Sequence, residues 1–305
     1  MAGIMRERFV EVSTQLLDTH ERVAVLTADL TSALFDGARE RHPQRVLNFG
    51  IREQLLISAA GGLALAGMRP IAHSFAPFLI ERPFEQIKLD LNHQAVSAVL
   101  VSAGASYDIS SSGRTHQSPG DVALLSTLPD WTIDVPGHPD EAEAQLREAA
   151  DSDELVYLRL SNQTNAHAHG LVDGRIHRGL RTLRQGTQAV VITVGPLADA
   201  VLTATEGLDV TVMYAATIRP FDAVGLRAAV AGQRDPAVVL VEPYLAGTSV
   251  PCVTDTLSDL PHRVLGLGVG REELRNYGSP RQHAIAHGLD SAGLRRALVG
   301  FLGDK

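Results

Sequence analysis

From Val23 to Leu160, short β-rich runs of Val, Leu, Ile and Ala alternate with longer stretches of helical spacing. Strands buried on both faces read as near-continuous apolar runs, and the helices between them cover those faces, so this alternation specifies a parallel sheet. The strands are expected at Val23–Thr27, Arg45–Asn48, Pro70–His73, Ala98–Ser102, Trp131–Val135 and Val156–Leu160. Helical patterns lie near Ile51–Ala66, Phe78–Asn92, Pro119–Leu128 and Pro139–Ala150. The last opens with Pro139, Asp140 and Glu141, a proline and two acids suited to a helix N-terminus.

A second alternation follows, with strands near Ala189–Thr193, Val210–Tyr214, Ala237–Val241 and Val264–Leu267 and a closing helix from Ser291 to Leu302. Between the two, Ser161–Gln185 is rich in Asn, His, Gly and Arg without a clear period, which marks a crossing. The expected architecture is α/β with two doubly wound domains: residues 1–165, a linker at 166–186, and a smaller domain at 187–305. Aromatic residues are only 5% of the 305, so the core must come from Val, Leu, Ile and Ala, which suits α/β layers better than a β-sandwich.

Charge and cysteine content narrow the function classes. The 35 acidic residues exceed the 27 basic ones, and no stretch interleaves clustered Lys and Arg with aromatics, which argues against a nucleic-acid partner. The single cysteine, Cys252, cannot form an intrachain disulfide and fits a reducing cytosol. The opening MAGIMRERFVEVSTQLL has helical spacing rather than a signal-peptide apolar region, and the apolar run Leu55–Gly67 is too short and glycine-rich to span a bilayer. A cytoplasmic, non-membrane protein is expected.

Ligands of open parallel sheets bind beyond the C-terminal strand ends. Four features fall there: Asp29 after the first strand, the Gly50–Glu53 turn, the His73–Phe78 segment, and the glycine- and serine-rich loop Gly104–Gln117. Glu53 sits in the first turn of its helix, where an acid complements the dipole whatever else it does. The small residues Ala59, Ala60, Gly61 and Gly62 that follow let another backbone approach closely. His167 and His169 form an H-x-H pair in the crossing without a third ligand nearby, and no G-x-S-x-G nucleophile elbow is present.

The segment N48-F-G-I-R-E-Q54 resembles the G-I-R-E-[HQ] motif of the pyrimidine-binding domain in transketolases. H73-S-F-A-P-F-L-I-E-R-P-F-E-Q-I-K88 resembles that family's aromatic segment, G113-R-T-H-Q117 its G-x-T-H-Q loop, and D29-L-T31 its A-D-L-T strand end. Leu155–Leu160 and T217-I-R-P-F-D222 are similar to later landmarks, the second to the start of the family's C-terminal domain. The resemblance implies thiamine diphosphate as cofactor, with Glu53 bonded to N1′ of the aminopyrimidine and Phe75 and Phe78 packed on its ring. It implies that His116 faces the reacting carbonyl and that Asp29 lies near the thiazolium side. A carboxyl group in an apolar cleft can stay protonated near neutrality, which suits an activating acid.

The family's G-D-G…N segment, which binds the diphosphate through Mg²⁺, is absent. The resemblance therefore implies that the diphosphate and Mg²⁺ are held by a partner, an N-terminal-type transketolase subunit, and that the chain self-associates within an α₂β₂ assembly. The substrate side departs from the family. Ala33, Gly104 and Asn162 stand where family members grip a sugar phosphate, Ser112 replaces an aspartate, and Arg114 replaces a small residue. Ser112, Arg114 and Asn162 are the candidate substrate contacts. Two-carbon ketol transfer to an aldehyde other than a standard sugar phosphate, free or carrier-bound, is the expected activity. The alternatives are the β subunit of a 2-oxo-acid decarboxylating or acyloin-forming component, and a non-catalytic interaction module.

Overall fold

The computed structural model describes residues 4–275 and 277–303. Six strands, β1 (Val23–Thr27), β2 (Val46–Asn48), β3 (Arg69–Phe75), β4 (Ala98–Ala103), β5 (Trp131–Asp134) and β6 (Leu155–Arg159), lie parallel in the order β5-β6-β4-β3-β1-β2. Every residue of β1, β4, β5 and β6 is buried, including the polar Thr27, Ser102, Thr132, Asp134 and Arg159 among their mainly apolar residues. On one face the helices Ile4–Thr19 and Pro139–Asp151 bury Met5, Phe9, Val12, Ala142 and Leu146 against Val25, Ile71 and Val99. On the other face the helix Glu53–Leu65 contributes Leu56, Ile57 and Ala60 to a larger cluster.

After a two-residue hairpin, β7 (Leu171–Val172) with β8 (Arg175–Ile176), the chain forms β9 (Arg181–Arg184), β10 (Ala189–Val194), β11 (Val210–Ala215), β12 (Thr217–Arg219), β13 (Ala237–Leu245) and β14 (Arg263–Val269). The second sheet runs β14-β13-β10-β11-β9, parallel except for β9. The fold is thus α/β with two largely parallel sheets, as the alternation in the sequence specifies.

Three details differ from the sequence reading. The stretch 166–186, read as a linker, contains the β7–β8 hairpin and β9, which pairs with β11 at the edge of the second sheet. Thr217–Arg219 leaves the second unit to become β12, antiparallel to β5 in the first sheet. Phe78–Asn92 is not a regular helix: wide π turns at Pro77–Glu81 and Ile87–His93 flank a single turn at Phe84–Gln86. Pro83, which lacks an N–H, interrupts the ladder there.

The two units share one core. Trp131, Ile133 and Val135 of the first join Val190, Ile192 and Leu240 of the second in one buried cluster. No helix among the described residues is long and apolar enough to cross a membrane.

Candidate active site

The Asn48–Glu53 segment is a built turn. Asn48 Oδ1 accepts from the backbone N–H of both Asp29 (3.0 Å) and Gly50 (3.1 Å), while its Nδ2 donates to Asp29 Oδ1 (2.9 Å). This ties the ends of β1 and β2 together and aims the helix that starts at Glu53. Gly50 has φ +66°, a conformation that favours glycine. Glu53 itself is 1% exposed. Its Oε2 accepts from Arg82 Nη1 at 2.6 Å, and its Oε1 has no hydrogen-bond partner among the described residues.

Arg82 connects this carboxylate to an aromatic cluster. Its guanidinium lies 4.1 Å over the Phe78 ring, a cation–π distance. Phe78 meets Phe75 edge-on at 6.1 Å, and the His116 ring sits against both, at 5.0 Å from Phe78 and 5.4 Å from Phe75. Glu53, Phe75, Phe78 and His116, distant from one another in the sequence, therefore converge on one place at the C-terminal strand ends. His116 Nδ1 pairs with Thr115 Oγ1 at 3.0 Å, which leaves Nε2 without a partner among the described residues.

His73 lies behind this cluster. Its Nδ1–H donates to Val101 O (2.8 Å), so its Nε2 accepts from Thr31 Oγ1 (3.1 Å). Complete burial pushes its pKa down to about 4, so it stays neutral. It orients Thr31, whose φ of +66° places it in a left-handed turn beside Asp29 at φ +59°.

The loop 104–120 is held from both sides. Gly104 has φ +73°, where a side chain is strained, and a Cβ there would have to displace the Ile109 side chain. Asp108, buried, accepts from Ser161 Oγ (3.0 Å), Asn162 N (2.8 Å) and Gln163 Nε2 (3.2 Å). Burial raises its pKa despite these donors. Deeper still, Arg159 Nε bonds Asp121 Oδ2 at 2.7 Å, with both side chains at most 1% exposed, and Tyr157 O–H donates to the same oxygen. Arg159 Nη2 also donates to Ser106 Oγ, which donates in turn to Pro243 O of the second unit. Leu245 N donates to Pro119 O (2.7 Å), and Ser110 Oγ to Gly278 O (3.1 Å), so the second unit clamps the back of the loop.

The remaining candidates are placed less centrally. Asp29 is exposed and serves the Asn48 tie. Asn162 uses its N–H on Asp108. Ser112 is exposed, and Arg114 turns to the second unit, bonding Gln117 O (2.9 Å) and pairing with Glu273 at 3.3 Å. His169 pairs with Asp199 at 3.2 Å, and among the described residues no group of three or more His, Cys, Asp or Glu is placed to hold a metal. A cavity of about 720 Å³ lies at the opposite ends of β5 and β6, lined by Trp131, Leu155 and Arg219, and touches none of the candidates. Arg82 and Asp108 escape sequence reasoning. The available signals were an arginine four residues after Phe78 and the one acid in the glycine- and serine-rich loop Gly104–Gln117.

The residues fit the pyrimidine end of thiamine diphosphate. A buried carboxyl with one free oxygen stands beside two phenyl rings and an imidazole, which is what an aromatic heterocycle with a ring nitrogen requires.

Comparison with known proteins agrees. The family described as "Transketolase, pyrimidine binding domain" matches residues 4–166. The "Uncharacterized 33.6 kDa protein in fasciation locus" of Rhodococcoides fascians is 52% identical over 290 residues, 94% of this chain and 91% of the relative. One of the subunits of the apulose-4-phosphate transketolase of Actinobacillus succinogenes is 32% identical over 237 residues, 74% of this chain and 73% of that one. The 1-deoxy-D-xylulose-5-phosphate synthase of Albidiferax ferrireducens is 27% identical over 96% of this chain but only 47% of its own length, so the chain spans about half of such relatives. Among solved structures, a "Split gene transketolase, inactive beta4 tetramer" superposes with a TM-score of 0.81 at 25% identity, covering 98% of both chains.

Proposed function

The chain belongs to the transketolase family as a C-terminal-type subunit carrying the pyrimidine-binding domain, and from that premise we propose that it supplies the activating half of a split ketol transferase. The enzyme moves a two-carbon ketol unit from a ketose donor to an aldehyde acceptor. When bound, thiamine diphosphate supplies the carbon nucleophile for breaking and remaking carbon–carbon bonds. Glu53 holds the pyrimidine by a ring nitrogen and exchanges a proton there through its free Oε1. Phe75 and Phe78 orient the ring and keep water from it. His116 offers the unpaired Nε2 to the carbonyl oxygen of the substrate, as donor or proton carrier. Arg82, bonded to Oε2, competes electrostatically for the carboxyl that Oε1 offers to the ring.

The observation that carries this reading is the buried Glu53 carboxyl joined through Arg82 to the Phe78–Phe75–His116 cluster. An N-terminal-type subunit is the partner that would hold Mg²⁺ and the diphosphate. Exposed apolar side chains at the start and end of the helix that begins at Glu53 leave room for a covering partner: Ile51 (69% exposed) just before it, and Leu55 (46%) and Leu65 (63%) within it. The acceptor is read as something other than a standard sugar phosphate, because Gly104 offers no side-chain donor and Asn162 cannot replace a guanidinium.

Glu53→Gln tests the assignment in the assembled complex. Hydrogen exchange at thiazolium carbon-2, followed by NMR, is expected to slow by orders of magnitude with folding and assembly unchanged. Exchange as fast as in the wild type would make Glu53 a structural residue.

A further inference from the structure

A second concavity, of about 280 Å³, lies on the far side of the His116 loop, where that loop meets the second unit. Its floor is the C-terminal ends of β13 and β14, at Leu245, Val269 and Gly270, the position where open parallel sheets place their ligands. Its walls bring Glu81, Arg114 and Gln117 from the first unit against His287, Glu272 and Arg271 of the second. Arg114 and Gln117 flank His116 in sequence, so the cavity backs directly onto the loop that carries the carbonyl-facing histidine.

Two of the polar groups there, His287 and Glu81, are held in place, and the set points to one kind of occupant. Gly270 N donates to His287 Nδ1 at 3.2 Å, so the neutral imidazole carries its proton on Nε2, which has no partner among the described residues. Burial and the neighbouring His283 lower the pKa of His287, which keeps it in that neutral form despite Glu272. His287 is also held flat against Tyr107, 5.9 Å between ring centroids and 22° between planes, and Tyr107 in turn stacks on His283. Glu81 is fixed by Ser118 Oγ on one oxygen (2.8 Å), leaving Oε2 as an acceptor. Arg114 spends Nη1 on Gln117 O and Nε on Glu273, leaving Nη2 as a donor.

Donors (His287 Nε2–H, Arg114 Nη2–H) thus stand among acceptors (Glu81 Oε2, the Glu272 carboxylate), with His287 and Glu81 held in place, the alternation that hydroxyl groups satisfy, since each both donates and accepts. The lining includes three acids, Glu81, Glu272 and Glu273, against two arginines, one already paired, which is a poor setting for a phosphate dianion. The volume is just below the ~300–1,000 Å³ of drug-sized sites, so it takes a fragment of a few hydroxylated carbons.

We propose that this cavity binds a neutral, polyhydroxylated chain, and that it is where the distal part of the acceptor is recognised. The second clause rests on the ketol-transferase reading; the binding itself does not. The cavity puts part of the specificity in the second unit, across the loop from the cofactor.

Xylitol is the probe, titrated into the full chain alone, without partner or cofactor, with binding followed by protein-observed NMR. Saturable shifts are expected in residues lining the cavity. His287→Phe, which removes the donor and fills space, and the near-isosteric Glu81→Gln are each expected to weaken binding about tenfold or more. D-Ribose 5-phosphate is expected to bind more weakly than xylitol. No saturable binding of xylitol, binding indifferent to both substitutions, or tighter binding of the phosphate would each overturn the proposal. Glu53-dependent exchange at the thiazolium would stand or fall independently, so failure here is distinguishable from failure of the ketol-transferase reading.

Discussion

The two sides of the loop 104–120 are built to different standards. On the cleft side, Glu53, Arg82, Phe78, Phe75 and His116 already touch one another in a chain of ring, cation and carboxylate contacts. On the outer side, Ser112 is exposed and Arg114 pairs with Glu273 through side chains that are 52% and 57% exposed. Contacts made before a ligand arrives hold a site in its working geometry, whereas exposed pairs are loosely held and can be exchanged. The cleft-side cluster is therefore preorganised in this chain, whereas the exposed outer residues Ser112 and Arg114 are not.

The buried ion pair beneath the loop and the exposed one on its outer side give the widest expected contrast. Arg159→Met strands Asp121 in a fully buried setting and is expected to cost about 3–5 kcal/mol of unfolding free energy. Arg114→Ala removes an exposed pair and is expected to cost less than about 1 kcal/mol. Denaturant midpoints of the two variants check this directly, and equal losses would erase the distinction between the sides.

His73 sharpens the comparison through pH. Its folded pKa is about 4 against the ordinary 6.5, so between these values the unfolded chain binds a proton that the folded one refuses. Its neutral form is fully accommodated above pH 6.5, and stability falls as pH drops toward 4, by about 3 kcal/mol from this residue alone. In His73→Gln that part of the acid limb is expected to flatten. An unchanged limb would mean that the wall behind the cleft is open to water.

Arg82 gives a smaller effect. Arg82→Met leaves the Glu53 carboxylate without its partner, expected to destabilise the cofactor-free chain by about 1–2 kcal/mol, discounted because Arg82 itself is 37% exposed. The same change removes a competitor for Glu53, so cofactor affinity in the assembled complex is expected to hold or rise. A fall in that affinity with no loss of stability would make Arg82 a cofactor ligand instead.

How far the sequence could be read follows from the same physics. The runs that became β1, β4 and β10 are apolar but for one small hydroxyl residue each (Thr27, Ser102, Thr193), so burial on both faces is the natural reading. Arg181-Thr-Leu-Arg184 and Thr217-Ile-Arg219 became edge strands β9 and β12 because a neighbouring strand offered hydrogen bonds, which no local period announces. At the site, the Glu53, Phe75–Phe78 and His116 motifs could be placed because each is local. The Glu53–Arg82 pair could not, since it depends on a π turn carrying Arg82 across 29 positions to the end of another helix. Gly104 was legible as a missing side chain, but only its φ of +73° shows that one would be strained there.

The central claim is that this chain completes a cofactor site whose charged end is held by another polypeptide. Calorimetric titration of thiamine diphosphate with Mg²⁺ into the purified chain, alone and then with an N-terminal-type subunit, tests it most directly. The account predicts little or no heat from the chain alone and stoichiometric binding in the mixture. Tight, stoichiometric binding by the isolated chain would contradict it.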